Sequence, residues 1–159
     1  MGRIGVSNVI PAAINTPFFI KARTKLGVKP KGFPIYQPGI VADAIIYSAE
    51  KAPREIVAGS AGKGMLLTQR LSPHLMDAIM VRGGFGSQMT DEPKSTADPD
   101  GLFAPMNGQD RVEGDFSEQA QPRSPLTWLD TRPAWKWSIG VAGAAVILNA
   151  LRAKTGERR

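Results

Sequence analysis

The sequence predicts an α/β fold: the edge of a sheet with about two strands and its helices, then an irregular tail and a terminal helix. Three observations lead there. A strand, a helix and a second strand follow one another within the first 60 residues. The helix between them is long enough to act as a crossover. Beyond residue 90 the hydrophobic periodicity gives way to Pro, Gly, Asp, Gln and Ser with isolated apolar residues.

Ile4, Val6, Val9 and Ile10 form a short β-rich run ending at Pro11, which reads as a buried strand leaving the sheet. Thr16-Pro17 turns or extends the chain, because the residue before a proline is pushed out of the helical region. Phe18 to Leu26 has room for one or two helical turns. Gly27 to Pro38 reads as loop, punctuated by Pro30, Gly32, Pro34 and Pro38. The clearest helix runs from about Pro38 to Lys51. Proline suits its first turn, and Ile40, Val41, Ala44, Ile45, Ser48 and Ala49 keep helical spacing on one face. Pro53 closes it. Glu55 to Ala58 is a second short strand, ended by Gly59, Gly62 and Gly64, and Met65–Leu71 and Pro73–Val81 read as two short helices. The expected organisation is therefore an α/β part over 1–90, an extended, flexible tail over 91–132, and an apolar and basic helix over 133–159.

Composition narrows the function classes. A chain of 159 residues holds one modest domain, and 17 glycines with 13 prolines point to long irregular stretches. Cysteine is absent, which excludes disulfides and thiolate metal sites and suits a reducing cytosol. With His74 as the single histidine, no multi-histidine metal site can form. Met1 to Ile10 lacks the continuous apolar core of a signal peptide, so a cytoplasmic location is expected. The net charge of +6 is concentrated before residue 91, where 11 basic residues face 4 acidic ones. Those basic residues are scattered singly, without interleaved stacking aromatics, so nucleic acid is not expected as a partner.

Three local patterns imitate chemistry. Tyr47 and Lys51 have the spacing that puts a phenol and an ammonium on one helix face, but no serine occupies the neighbourhood upstream where a third catalytic group belongs. Gly59-x-x-Gly62-x-Gly64 follows a strand as a phosphate-binding turn would, yet no acidic ribose partner continues it, and Lys63 precedes Gly64 rather than Ser or Thr. His74 lacks a paired nucleophile. All three read as ordinary structural positions, so no catalytic residue is assigned.

One set of motifs is more specific. Val9-Ile10-Pro11-Ala12-Ala13-Ile14-Asn15-Thr16-Pro17-Phe18 resembles the segment that follows the sixth strand of short-chain dehydrogenases/reductases, with Ala12 where that family usually has glycine. Pro34-Ile35-Tyr36-Gln37-Pro38-Gly39-Ile40-Val41-Ala42-Asp43-Ala44-Ile45 is similar to the family's next helix entry, with Gly39 in place of the usual acid, and Ala52 to Gly59 resembles its last strand. Pro73 to Asp77, Gln88 to Thr90 and Asp100 to Pro105 are similar to a bacterial subgroup with a long C-terminal extension. The resemblance covers roughly Ile4 to Pro105.

It implies the C-terminal part of a Rossmann-like doubly wound sheet, and an NAD- or NADP-dependent enzyme passing hydride between nicotinamide and a carbonyl or alcohol substrate. By carry-over Ile14 and Thr16 hold the nicotinamide carboxamide, Pro11 shapes the turn, and Phe18 to Tyr36 lies over the substrate as a lid. A homo-oligomer is compatible with the resemblance. The family's glycine-rich loop and its Ser, Tyr and Lys precede the position of Ile4. The resemblance therefore implies a fragment, inactive alone.

A competing reading comes from the C-terminus. Trp135 and Trp137 precede the apolar run Ile139 to Leu151, and Arg152, Lys154, Arg158 and Arg159 follow it. This stretch of 13 residues, interrupted by Asn149, falls short of the roughly 20 that span a bilayer. Interfacial aromatics beside a basic cluster would instead suit a non-enzymatic protein making peripheral membrane contact through residues 135–159.

Overall fold

The computed structural model describes residues 4–132, 134–138, 140, 143, 145 and 149. It is a mixed α/β structure built on three small two-stranded sheets. Strand β1 (Asn8–Pro11) pairs in parallel with β5 (Glu55–Ala58), so that Val9 lies opposite Ile56 and Pro11 opposite Ala58. The β2 strand (Ala13–Ile14) pairs in parallel with β4 (Ile35–Tyr36). The third pair is antiparallel, between β3 (Val28–Pro30) and β6 (Met89–Pro93).

Helix α1 (Phe18–Lys21) follows β2, and α2 (Gly39–Lys51) is the crossover between β1 and β5. Of the face read from the sequence, Ile40 and Ala44 are buried in a cluster with Ile56, Ala58 and Tyr36, with Val41 against it and Ser48 buried, whereas Ile45 and Ala49 are exposed. Burying an isoleucine such as Ile40 or Ile56 stabilises by roughly 1.5–3 kcal/mol. Ser48 sits in this core because its hydroxyl donates to the Ala44 carbonyl at 2.7 Å. The helix ends where Ala52 turns left-handed, at φ 44°, one residue before Pro53.

Helix α3 (Ser60–Leu71) starts five residues before its expected place, and α4 (Pro73–Ile79) follows, with the Ser72 hydroxyl accepting from the Leu75 amide. A π-helical turn (Met80–Gly84) and α5 (Phe85–Ser87) then lead into β6.

Two expectations are corrected. Gly27 to Pro38, read as loop, contains β3 and β4. Both are two or three residues long, and proline is tolerated at strand edges, so neither leaves a periodic signature. At the other end, Ile4 and Val6 are 92% and 82% exposed, outside the strand they were expected to open.

The 91–132 stretch is largely irregular, as expected, but it is packed rather than trailing. Phe116 and Ala120 are buried with Ile35, and Phe116 meets Phe19 edge to face at 5.6 Å. Gln121 accepts from the Gln37 amide at 3.0 Å and donates to the Ile35 carbonyl at 2.8 Å, bridging Tyr36 as a further rung beside β4. Backbone bonds from the Lys94, Gly101 and Gly114 amides to the Gly27, Lys21 and Asn15 carbonyls add to this, and side chains contribute too. Lys94 donates to the Ile20 and Ala22 carbonyls, each at 2.8 Å, and Arg23 pairs with Asp100 at 2.6 Å. The stretch closes with α6 (Pro125–Asp130), whose N-cap Ser124 precedes a proline at the first helical position.

Helix α6 is tied to α3 by charge. Asp130 bonds Lys63, and Lys136 lies 2.5 Å from its other oxygen, an ion pair without hydrogen-bond alignment. Burial pushes the Asp130 carboxyl up, but the ammonium groups of Lys136 and Lys63 outweigh it and hold it below the ordinary carboxylate value. A depressed carboxyl stabilises the fold above its unfolded pKa, and that stabilisation disappears as pH falls through the folded value. Asp130→Asn is therefore expected to cost about 1 kcal/mol near neutral pH, since both lysines are partly exposed. The difference from wild type should vanish below the carboxylate range. Urea denaturation of both proteins across pH checks this.

The terminal helix expected over 133–159 lies mostly outside the described residues; residues 134–138 are helical. Trp135 and Trp137 are exposed, and Trp135 stacks against Trp128 at 5.9 Å. Among the described residues, no helix is long and apolar enough to cross a membrane.

Candidate functional site

The turn from β1 into β2 builds one wall of a cleft of about 590 Å³. Its position follows from backbone bonding. The Ala12 amide reaches the Ala58 carbonyl at 2.8 Å, ending the β1–β5 ladder, and the Asn15 amide reaches the Tyr36 carbonyl at 2.8 Å, ending the β2–β4 pair. At and around these anchors Pro11, Ile14 and Thr16 all line the same cleft. The Thr16 amide folds back onto the Ile14 carbonyl at 2.9 Å. Among the described residues the Thr16 hydroxyl makes no hydrogen bond, and the residue is half-buried. A hydroxyl both donates and accepts, so it can meet either end of an amide.

Further lining comes from α1 and the segment between it and β4. Phe18, Phe19, Phe33 and Pro34 provide it, together with Met65 of α3. Gly32 is fixed there by close approach: a Cβ at that position would lie 2.2 Å from the Ala13 Cβ. The segment expected to act as a lid therefore already packs against the turn it would cover. Lys31 and Gln88 complete the lining, brought together by a bond from the Lys31 amide to the Gln88 carbonyl at 2.9 Å. Sequence reading missed both, because they meet only through the β3–β6 pairing.

The glycine-rich turn at the start of α3 lies alongside, and its donors are taken by protein. The Gly59 amide donates to the Thr127 hydroxyl at 2.8 Å, and the Ala61 amide donates to the Tyr36 hydroxyl at 3.0 Å. Ser60, Ser124 and Thr127 continue the network through hydroxyl contacts of 2.9 and 2.8 Å. Gly59 has φ +120°, and a Cβ there would stand 2.5 Å from the Ala12 Cβ. The glycine thus serves close packing of the helix start on the β1–β2 turn, not phosphate binding.

Tyr47 and Lys51 are not brought together as a pair. Tyr47 packs half-buried against the Tyr36–Ile40 core, whereas Lys51 is exposed and no hydrogen bond joins them. His74 is exposed in the first turn of α4. A second groove of about 560 Å³ runs between α2 and α6, lined by Ile40, Asp43, Leu126 and Trp128, and holds none of the residues singled out from the sequence.

No protein-family model and no solved structure matches the chain. One similarity to a curated protein stands out. Over 102 residues the chain is 29% identical to "Uncharacterized oxidoreductase YxnA" of Bacillus subtilis (strain 168). The match takes in 63% of this chain but spans only 29% of that protein's length. This chain is thus distantly similar to part of an oxidoreductase.

Proposed function

We propose that the chain is the C-terminal part of an NAD(P)-dependent short-chain oxidoreductase and carries the nicotinamide end of its cofactor cleft. The observation behind this reading is the single cleft shared by Pro11, Ile14 and Thr16, the residues carried over from the family motif. Ile14 and Thr16 would hold the carboxamide, and the unpartnered Thr16 hydroxyl suits that group. The bound cofactor supplies or accepts hydride; this chain's part is to orient the ring and keep water from it with Phe18, Phe33 and Met65.

The similarity to part of an oxidoreductase supports the reading, and so does the surface. Among the described residues β1 pairs only with β5, leaving its other edge open. Separately, the helical stretch from α3 to α5 exposes Leu67, Leu71, Leu75, Ile79, Val81 and Phe85. An open strand edge and exposed apolar helix faces suit a chain that completes its sheet against further structure. The proton donor and glycine-rich loop belong to that further structure, since Tyr47, Lys51 and the Gly59 turn have structural roles.

The purified chain should therefore show no NAD(P)H turnover with a panel of ketones and alcohols. Set in place of the matching 102 residues of the Bacillus relative, it should support NAD(P)H binding. Turnover by the isolated chain that Tyr47→Phe abolishes would contradict the reading. Failure of a folded chimera to bind either cofactor would contradict it equally.

A further inference from the structure

We propose that Lys31 sets the ligand specificity of the Pro11–Ile14–Thr16 cleft, and that the cleft takes a substrate with an apolar body and one anionic group, a carboxylate or comparable acid. The term substrate rests on the cofactor reading above; the anion site does not. Lys31 is the only charged residue in a lining otherwise made of apolar side chains, glycines, Thr16 and Gln88.

Its neighbours show that the amine could have been neutralised within the fold and is not. Lys29, two residues earlier, is held between Glu92 and Asp115, each at 3.2 Å. Burial alone would lower the Lys29 pKa, but those carboxylates raise it above its ordinary value. Lys63 pairs with Asp130, and Lys94 spends its amine on two carbonyls. Among the described residues the Lys31 amine has neither an ion pair nor a hydrogen bond, although the residue is half-buried. Lys31 lines the same cleft as apolar side chains, so an anion arriving with an apolar body would exclude water and gain the charge contact in a medium less polar than water. Phe18, Phe33 and Met65 offer that body a surface, and Gln88 offers an amide beside the amine. The volume of about 590 Å³ lies in the range of small-molecule sites.

The test uses the full 159-residue chain, with 3-phenylpropanoate and 3-phenylpropan-1-ol as matched probes. Acetylation of lysines, read by mass spectrometry, should be suppressed severalfold at Lys31 by the acid and not by the alcohol. Exposed Lys25 should react equally throughout. By calorimetry the acid should bind about tenfold tighter than the alcohol, the ratio that about 1.4 kcal/mol represents. Lys31→Met should erase that preference and leave the alcohol's affinity unchanged. Equal affinities for the two probes would overturn the proposal, as would unprotected Lys31 in the wild-type chain. Protection by nicotinamide mononucleotide but not by the acid would give the ammonium to the cofactor's phosphate and overturn it too. A chimera that binds no cofactor while the acid preference persists would remove the oxidoreductase reading and uphold the anion site.

Discussion

Asn15→Ala should destabilise the protein by about 3 kcal/mol and release the stretch around 114–121 from the body. Asn15 is fully buried, at 0% exposure, and its side chain makes two hydrogen bonds to that stretch. Its Oδ1 accepts from the Phe116 amide at 3.0 Å, and its Nδ2 donates to the Ser117 hydroxyl at 3.0 Å and to the Gln37 side chain at 3.3 Å. Its carbonyl accepts from the Gly114 amide at 3.2 Å. Alanine leaves the Phe116 amide buried without a partner, which alone costs about 1–3 kcal/mol. The lost side-chain bonds add roughly 0.5–1.5 kcal/mol each. Phe116 and Ala120 would lose their seat against Ile35. The chemical denaturation midpoint and limited proteolysis read this together: earlier unfolding, with new cleavage within 91–132. A midpoint within about 0.5 kcal/mol of wild type, the ordinary surface-substitution range, would show that the stretch is held by something else.

Thr127→Val should cost about 1–3 kcal/mol by a different route. Valine nearly preserves the shape and removes the hydroxyl that accepts from the buried Gly59 amide and donates to the Val57 carbonyl at 3.3 Å. Gly59 is buried, so its amide would be left without a partner. Thr127→Ser keeps the hydroxyl and should lose much less. Comparing the two variants separates the hydrogen bond from packing of the methyl group. A stable Thr127→Val variant beside a destabilised Thr127→Ser variant would assign the effect to packing and leave the Gly59 amide satisfied elsewhere.

How much was legible in the sequence depended on where each signal was carried. Helix α2 was readable because Pro38 and Pro53 bracket it and the spacing of Ile40, Ala44 and Ser48 lies within it. Strand β5 was readable because Pro53 and Gly59 bracket a short β-rich run. Strands β3 and β4 were not, since only their pairing with distant β6 and β2 makes them strands. The packing of 91–132 was hidden for a related reason. Phe116 and Ala120 show no period, and their burial depends on an asparagine about 100 positions earlier. The residues of the candidate cleft divide the same way. Pro11, Ile14 and Thr16 came from a contiguous motif, whereas Lys31 and Gln88 have no local pattern to mark them.

Thr16→Val in the chimera tests the central claim most directly, with cofactor Kd and Tm measured on the same variant. Valine removes one hydroxyl and nearly keeps the shape. If Ile14 and Thr16 hold the carboxamide, the lost bond of about 0.5–1.5 kcal/mol should weaken NAD(P)H binding or slow hydride transfer roughly 2- to 10-fold, with Tm unchanged. An unchanged Kd and an unchanged hydride-transfer rate, with or without a fall in Tm, would leave Thr16 as a turn residue before Pro17 and contradict the nicotinamide assignment.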